Sequence, residues 1–397
     1  MHILIINQHG ENRGDEAAMQ GMLGAVARKY PSAQVTLLYQ HKDRSHLPPA
    51  PSGVTCLPIV MPLFDAFLLA GAACLRAWVY RGFALTRGPR VAKAIWAAYT
   101  QCDMVISAPG GPYFGDLYVN HEFVHVFLVW LGRIHKKRMF LFAPSCGPFG
   151  NRLMNPIRRR MFGWFSGVCL REPVSAQYLK GLTGAAVEVT ADSAFLAPLQ
   201  AVIEPAARKK VVTATVLKHR AWQREPERQR AYEASVINAL NHLALRHDLE
   251  VVFLPQLCGK VHSDFDYLTD VGSRLDTQVR WRVMPRAADV AAQRKLIGEA
   301  CMSLATRYHH QVFSIGAATP VVALCYEHKS TGLMQEAGMS QLALPIGDVN
   351  AQKIVDACEY VLRNGQRVSR SLMFSRVALR RRALHSVRML STGEASA

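Results

Sequence analysis

No CxxC pair occurs in the 397 residues; the nine cysteines, at positions 56, 74, 102, 146, 169, 258, 301, 325 and 358, stand singly. That spacing argues against a zinc finger and against a disulfide framework. With Cys102, Cys169 and Cys325 set in apolar runs, it points to reduced, buried thiols and a cytoplasmic protein. Also missing is any uninterrupted apolar run of roughly 20 residues, the length a spanning helix needs. The nearest candidate, CLPIVMPLFDAFLLAGAACLRAWVY (56–80), is broken by Pro58, Pro62, Asp65 and Arg76. The opening MHILIINQHGENRGDE lacks a basic leader and passes straight from apolar residues to charge, so no signal peptide is expected. Acidic residues are scarce, 29 Asp and Glu against 47 Lys and Arg, leaving a formal charge of +18. Such a field attracts nucleic acid, anionic lipid and phosphorylated small molecules. With no zinc finger, RNA-binding signature or aromatic-studded basic strand, nucleic acid is not an expected partner.

What the chain does have is core: half its residues are hydrophobic, and its length allows two domains. Short apolar runs alternate with helix-length segments. HILIIN (2–7), QVTLLY (34–39), DMVISA (103–108), RMFLFAPS (138–145) and VCLRE (168–172) read as strands in the first half. VVTATVL (211–217), EVVFLPQ (250–256), CMSLATR (301–307), PVVALCY (320–326) and LALPIG (342–347) do so in the second. Continuous β-rich runs between helices imply parallel strands buried on both faces. Two such series with a break near 198–210 predict an α/β protein of two doubly wound, Rossmann-like domains, 1–200 and 205–397, facing a cleft. Ligands of such sheets sit at the carboxyl ends of the strands. Segment 56–80 is expected as a buried helix or as a surface resting on a membrane, and 123–132 as a core helix. RVALRRRALHSVRML (376–390) reads as a basic amphipathic helix, and Arg158-Arg159-Arg160 adds a second cluster. These are either solvated faces or contacts with anionic lipid.

Several stretches fall where strands end. APGGPYFGD (108–116) follows a strand abruptly, either as a plain turn or as a loop whose backbone comes close to a ligand. NRGDEAAMQGML (12–23) gives a glycine turn at Gly14 and then a helix opening with Asp15 and Glu16, which complement its dipole. APSCGPF (143–149) again follows a strand, and in LREPVSAQYL (170–179) Arg171 closes one. ATRYHHQVFSIGAATPVVALCYEHKSTGLM (305–334) is the most informative. Arg307 and His309 follow one strand, and Tyr326, Glu327 and Lys329 follow the next, so cationic and titratable groups converge on one crevice as an anion site.

Taken together, NRGDEA (12–17), PGGPYFGD (109–116), PSCGPF (144–149), REPVS (171–175), ADSAF (191–195), RYH (307–309) and the Tyr326…Lys329…Gly332 element resemble, in order, the polysaccharide pyruvyl transferase family. The usual glycine run of the central loop is here broken to Pro109-Gly110-Gly111-Pro112, and loop 256–266 matches loosely. The resemblance implies a fold like the B-type glycosyltransferases. It also implies transfer of the enolpyruvyl carbons of phosphoenolpyruvate onto two hydroxyls of one sugar, leaving a pyruvate ketal and phosphate. The acceptor sugar belongs to a bacterial surface polysaccharide or its lipid-linked precursor. Phosphoenolpyruvate is a co-substrate, and no metal or organic cofactor is implied. The expected donor ligands are Arg171 and, in the C-terminal domain, Arg307 and Lys329, with His309 as general acid and Lys329 as the second choice. Asp15 or Asp116 is the expected base. Asn12, Gly110, Gly111 and Tyr113 are expected to touch substrate on the N-terminal, acceptor side, with Tyr113 and Phe114 offering faces to a pyranose. Two other functions fit the same layout. One is a B-type glycosyltransferase using a nucleotide sugar, with Glu327 on a ribose; the other is a non-catalytic relative within a polysaccharide assembly complex. A peripheral position at the inner face of the membrane is expected in the lipid-linked case.

Overall fold

The computed structural model describes residues 1–40, 53–111, 113–219, 222–259 and 263–391. Pro112, part of the glycine loop, lies outside the described residues, as do positions 260–262 of loop 256–266. The chain divides into two compact units. Unit 1 holds Met1–Gly10, Asp15–Ala197 and the C-terminal stretch from Arg382; unit 2 holds Glu11–Gly14 and Pro198–Arg381.

Unit 1 is built on seven parallel strands: β1 His2–Gln8, β2 Gln34–Tyr39, β3 Val54–Pro58, β4 Met104–Ser107, β5 Arg138–Phe142, β6 Gly167–Leu170 and β7 Glu188–Val189. They lie in the order β3-β2-β1-β4-β5-β6-β7. Unit 2 carries β8 Lys209–Thr215, β9 Glu250–Phe253, β10 Trp281–Val283, β11 Ala300–Ala305, β12 Val321–Cys325 and β13 Ala343–Pro345, in the order β10-β9-β8-β11-β12-β13, again all parallel. Runs such as Ile3–Ile6 and 321–324 are wholly buried, as strands covered on both faces must be. The short edge strands β3, β7 and β10 were not anticipated; β3 runs into the start of 56–80, and β7 and β10 have too few residues to show a period.

The strand order reverses between β1 and β4 in unit 1, and between β8 and β11 in unit 2. At such reversals neighbouring loops splay apart at the strands' carboxyl ends and leave room for a ligand. The loops at the first reversal are 9–12 and 108–116. Those at the second begin at Val216 and at Thr306. The sequence motifs therefore fall at the two places where a doubly wound sheet opens.

Two core histidines make the fold acid-sensitive. His135 is packed between Trp96 and Tyr99, and His310 lies fully buried between the hydroxyls of Thr213 and Thr215, 3.1 Å from each. Burial pushes His135 down to about 4 and His310 to about 3. Below pH ~6.5 the unfolded chain takes up protons that the folded one refuses, so stability falls as pH falls towards those values, by about 1.4 kcal/mol per pH unit for each group. Urea midpoints measured from pH 7 to pH 5 should drop accordingly. A His135→Phe/His310→Gln variant should show a flatter profile over that window.

Candidate active site

In unit 1 the loop after β4 is closed onto the loop after β5. Gly147 N–H donates to the Phe114 carbonyl (2.7 Å) and Asp116 N–H to the Pro148 carbonyl (3.0 Å). Gly115, at φ +141°, lies so close that a Cβ there would sit 2.8 Å from Gly147 Cα. Tyr113 stacks on His9, with ring centroids 3.6 Å apart, and its hydroxyl donates to Asp15 Oδ2 at 2.8 Å. His9 Nε2 is 2.9 Å from His125 Nε2, which is also 2.8 Å from Gln40 Nε2. His9, Asp15, Tyr113, His125 and Gln40 thus form one polar cluster at the switch point of unit 1. Sequence reasoning named Asp15 and Tyr113 but missed the two histidines. The available signal was His9, directly after β1.

Other predicted residues of this unit are committed elsewhere. A Cβ on Gly110 would meet the Tyr113 ring at 2.9 Å, and one on Gly111 would meet it at 3.2 Å, so the room these glycines leave is taken by that ring. Phe114, expected to offer a face to a sugar, is instead buried against Phe162 and His125. Asp116 pairs with Arg158 (2.8 Å) and accepts from the backbone N–H groups of Gly150 and Asn151. Burial alone would raise its carboxyl; the bonds from Arg158, Asn151 and Gly150 outweigh that and hold it below the ordinary value, which weakens it as a base. Arg171 is buried, with Nε donating to Ser145 Oγ and Nη1 to Asp192 Oδ2, both at 2.8 Å. It ties three of the sequence motifs together, and Asp192 offsets its charge.

Unit 2 gathers the rest. Arg307 caps the helix Tyr308–Gly316 after β11, its backbone N–H on Thr215 Oγ1 (3.1 Å). Its Nη2 donates to Asp264, which also accepts from the Gln256 and Leu257 N–H groups, and its Nε meets no partner among the described residues. Desolvation works against the guanidinium charge, but Asp264 and Tyr326 more than offset it, so its pKa moves up. His309 is buried two residues on, in the same turn, beside Tyr308 and Phe313. Lys329, in the first turn of helix His328–Glu336, lies 5.7 Å from the Tyr308 ring centre and pairs with Glu327 at 2.6 Å. His219, after β8, meets Tyr326 edge-on at 5.6 Å. Burial lowers its pKa, Glu327 opposing and Arg228 adding to that shift. No sequence motif pointed to His219.

Residues Glu11–Gly14 belong to this unit. Arg13 N–H donates to the Gln256 carbonyl (2.9 Å), Cys258 N–H to that of Glu11 (2.9 Å), and Asn12 bridges Leu257. Asn12 Oδ1 accepts from Gly14 N–H at 2.8 Å, capping the helix Arg13–Lys29. Gly14 is glycine for a reason other than a turn: a Cβ there would fall 1.8 Å from His309 Nδ1. Gly14 of the NRGD motif thus packs against His309 of the RYH motif within unit 2.

The family model for polysaccharide pyruvyl transferase matches residues 12–328, a span that holds these motifs except for Lys329 and Gly332. The chain belongs to that family. Among its relatives, the amylovoran biosynthesis protein AmsJ of Erwinia amylovora is 24% identical over 402 residues, covering 94% of each chain. The UDP-GlcNAc 2-epimerase of Neisseria meningitidis, solved bound to UDP-GlcNAc, superimposes with a TM-score of 0.58 at 12% identity, over 98% of this chain and 99% of that one. Anabaena Alr3699/HepE, solved with UDP-glucose, gives 0.58 at 13% identity over the whole of both chains. Such likenesses show the fold: this pyruvyl transferase family member has the two-sheet α/β architecture of B-type glycosyltransferases and UDP-sugar epimerases.

Proposed function

We propose that the protein moves the enolpyruvyl group of phosphoenolpyruvate onto two hydroxyls of one sugar of a surface polysaccharide or its lipid-linked precursor. The products are a pyruvate ketal and phosphate, and the reaction runs on the cytoplasmic side, where the donor is made. The observation that carries this is the placing of Arg307 and His309 on one helical turn at the switch point of unit 2, with Lys329 and Tyr308 beside them.

The donor bears phosphate and carboxylate on one carbon, so it needs fixed cations. Arg307 offers an unused Nε edge, and Lys329 exchanges Glu327 for the incoming anion. His309 delivers a proton to the terminal methylene, making C2 cationic. The first hydroxyl adds to C2, phosphate leaves, and the second hydroxyl closes the ketal. Of the two hydroxyl protons released, one balances that given to the methyl group and the other departs with phosphate. Asp15, oriented by Tyr113, serves as base in preference to Asp116, whose carboxylate is held by Arg158. Positioned acid–base groups of this kind contribute about 10²–10⁴-fold, and fixed charge around the departing phosphate contributes at least comparably. No metal or organic cofactor enters this scheme. A nucleotide-sugar glycosyltransferase is supported by fold alone, and Glu327, the carboxylate assigned to its ribose, is paired with Lys329.

Phosphate release from phosphoenolpyruvate across a panel of sugars tests the chemistry, with labelled nucleotide sugars as the counter-assay. Arg307→Ala should lower kcat/KM for phosphoenolpyruvate by about 10²-fold, the scale of one lost charge-assisted contact, with Arg307→Lys intermediate. Wild-type kcat/KM in Arg307→Ala would remove the donor site from this crevice.

A further inference from the structure

Segment 56–80 is the least conventional part of unit 1. After β3 the chain forms the helix Leu63–Cys74 and runs on through a wider turn, Leu75–Val79, closed by Tyr80 N–H on the Leu75 carbonyl at 2.8 Å. One side of this helix, Leu69, Ala72 and Ala73, is buried in the core. The other side is just as apolar and faces outward: Leu63 is 78% exposed, Phe64 68%, Phe67 73%, Trp78 75% and Val79 77%. No helix among the described residues is long and apolar enough to cross a membrane. Asp65 is the one charged residue of the helix, and an exposed apolar ridge of this kind, neither buried nor spanning, needs something to cover it.

Two further observations say what. First, apart from Asp65 in the first turn of the helix, the charges along this segment have one sign. From residue 66 to 102 there is no Asp or Glu, whereas Arg76, Arg81, Arg87, Arg90 and Lys93 all occur, and the last four are exposed. Two copies meeting through such a rim would set like charges against each other, whereas lipid phosphates would complement it. Trp78 and Tyr80 are side chains that settle where hydrocarbon meets water. Second, the ridge borders an open apolar groove of about 650 Å³, walled by Val60, Met61, Phe67, Ala70, Phe123 and Val124. Gln40, which is bonded to His125 in the polar cluster, also lines it.

The basic C-terminal segment is differently placed. It lies on the helix Gly365–Met389, whose apolar stripe Leu372, Leu379, Ala383 and Val387 is buried. Arg382 donates to the Thr190 carbonyl, and Arg376 to those of Gln200 and Gly316. Arg158 is buried in its ion pairs. Those three arginines hold the fold together, whereas Arg81, Arg87, Arg90 and Lys93 beside the ridge are exposed.

We propose that unit 1 docks onto an anionic lipid bilayer through the ridge of Leu63, Phe64, Phe67, Trp78 and Val79, with Arg81, Arg87, Arg90 and Lys93 on lipid phosphates and a lipid chain entering the groove. The ridge sinks about 5–10 Å, as interfacial helices do. Docking stands on the shape and charge of unit 1 alone. Its consequence, that a sugar carried on a lipid arrives beside His125 and Asp15, rests on the function proposed above.

Co-sedimentation of the full-length protein with phosphatidylcholine vesicles, with and without phosphatidylglycerol, tests it. Wild type should partition at least ~10-fold more strongly onto the anionic vesicles. Phe67→Glu/Trp78→Glu should lose that binding, and Arg81→Glu/Arg87→Glu/Arg90→Glu should lose the preference for anionic lipid. Phosphate release with a water-soluble acceptor should be unchanged in these variants. Equal wild-type binding to both vesicle types, or binding that survives Phe67→Glu/Trp78→Glu, overturns the proposal. A dimer in light scattering that this variant dissolves, without any vesicle binding, assigns the ridge to a second copy and also overturns it. If no phosphate is released by wild type or variants while anionic vesicles are still bound, the chemistry falls and the docking surface stands.

Discussion

Replacing Gly14 with alanine is expected to cut turnover at least ~10²-fold while leaving the protein folded. The added Cβ would stand 1.8 Å from His309 Nδ1, 2.2 Å from Cγ and 2.4 Å from Cε1. No such contact survives, so either the ring or the helix start moves by an ångström or more. A displacement of ~1 Å at a reacting group costs about 10²-fold. Alanine is the better helix former by about 0.8–1 kcal/mol, so propensity favours the variant and the loss reports position rather than unfolding. Gly24→Ala in the same helix meets only the end of the Arg28 side chain, at 3.6 Å, and should turn over normally. In a cycle with His309→Ala, the double variant should be no slower than His309→Ala alone, since both remove one function. Full activity in Gly14→Ala would show that His309 is not where the chemistry needs it.

The second large effect is on stability. Arg158 is wholly buried, with Nε and Nη2 on the two oxygens of Glu122 (2.8 and 2.7 Å), Nη2 also on Asp116 (2.8 Å) and Nη1 on Asn155 (3.1 Å). Glu122 also accepts from Gly115 N–H at 2.9 Å, so the glycine loop hangs on this cluster. Arg158→Met strands a fully buried carboxylate, which costs roughly 3–5 kcal/mol, out of a total of about 5–15 for a typical protein. For a unit of this size the melting temperature should fall by about 10 °C. Adding Glu122→Gln and Asp116→Asn removes the uncompensated charge and should recover much of the loss. An Arg158→Met protein melting at the wild-type temperature would mean that the cluster is not holding the loop.

The sequence was most legible where chemistry and periodicity are local. Continuous apolar runs told of two parallel sheets, and the Arg-Tyr-His triplet after CMSLA placed Arg307 and His309 at a strand's carboxyl end, where β11 delivers them. It was least legible where a residue's partner lies far along the chain. Arg171 and Arg158 carry the same charge as Arg307, and no local pattern separates them. Only the fold brings Asp192 to the first, Glu122 and Asp116 to the second, and leaves the Nε edge of Arg307 unused.

The amino-acid order alone therefore determined the α/β class, the family and the strand ends that carry polar side chains, because strand period and motif spacing are properties of neighbouring residues. The tertiary structure decided which cations are spent on carboxylates. It also decided that Gly14 makes room for His309 rather than for a turn, and that the apolar helix Leu63–Cys74 faces outward. Each of those depends on which side chains meet across dozens or hundreds of residues, and burial and pairing, unlike periodicity, are fixed only when the chain has closed on itself.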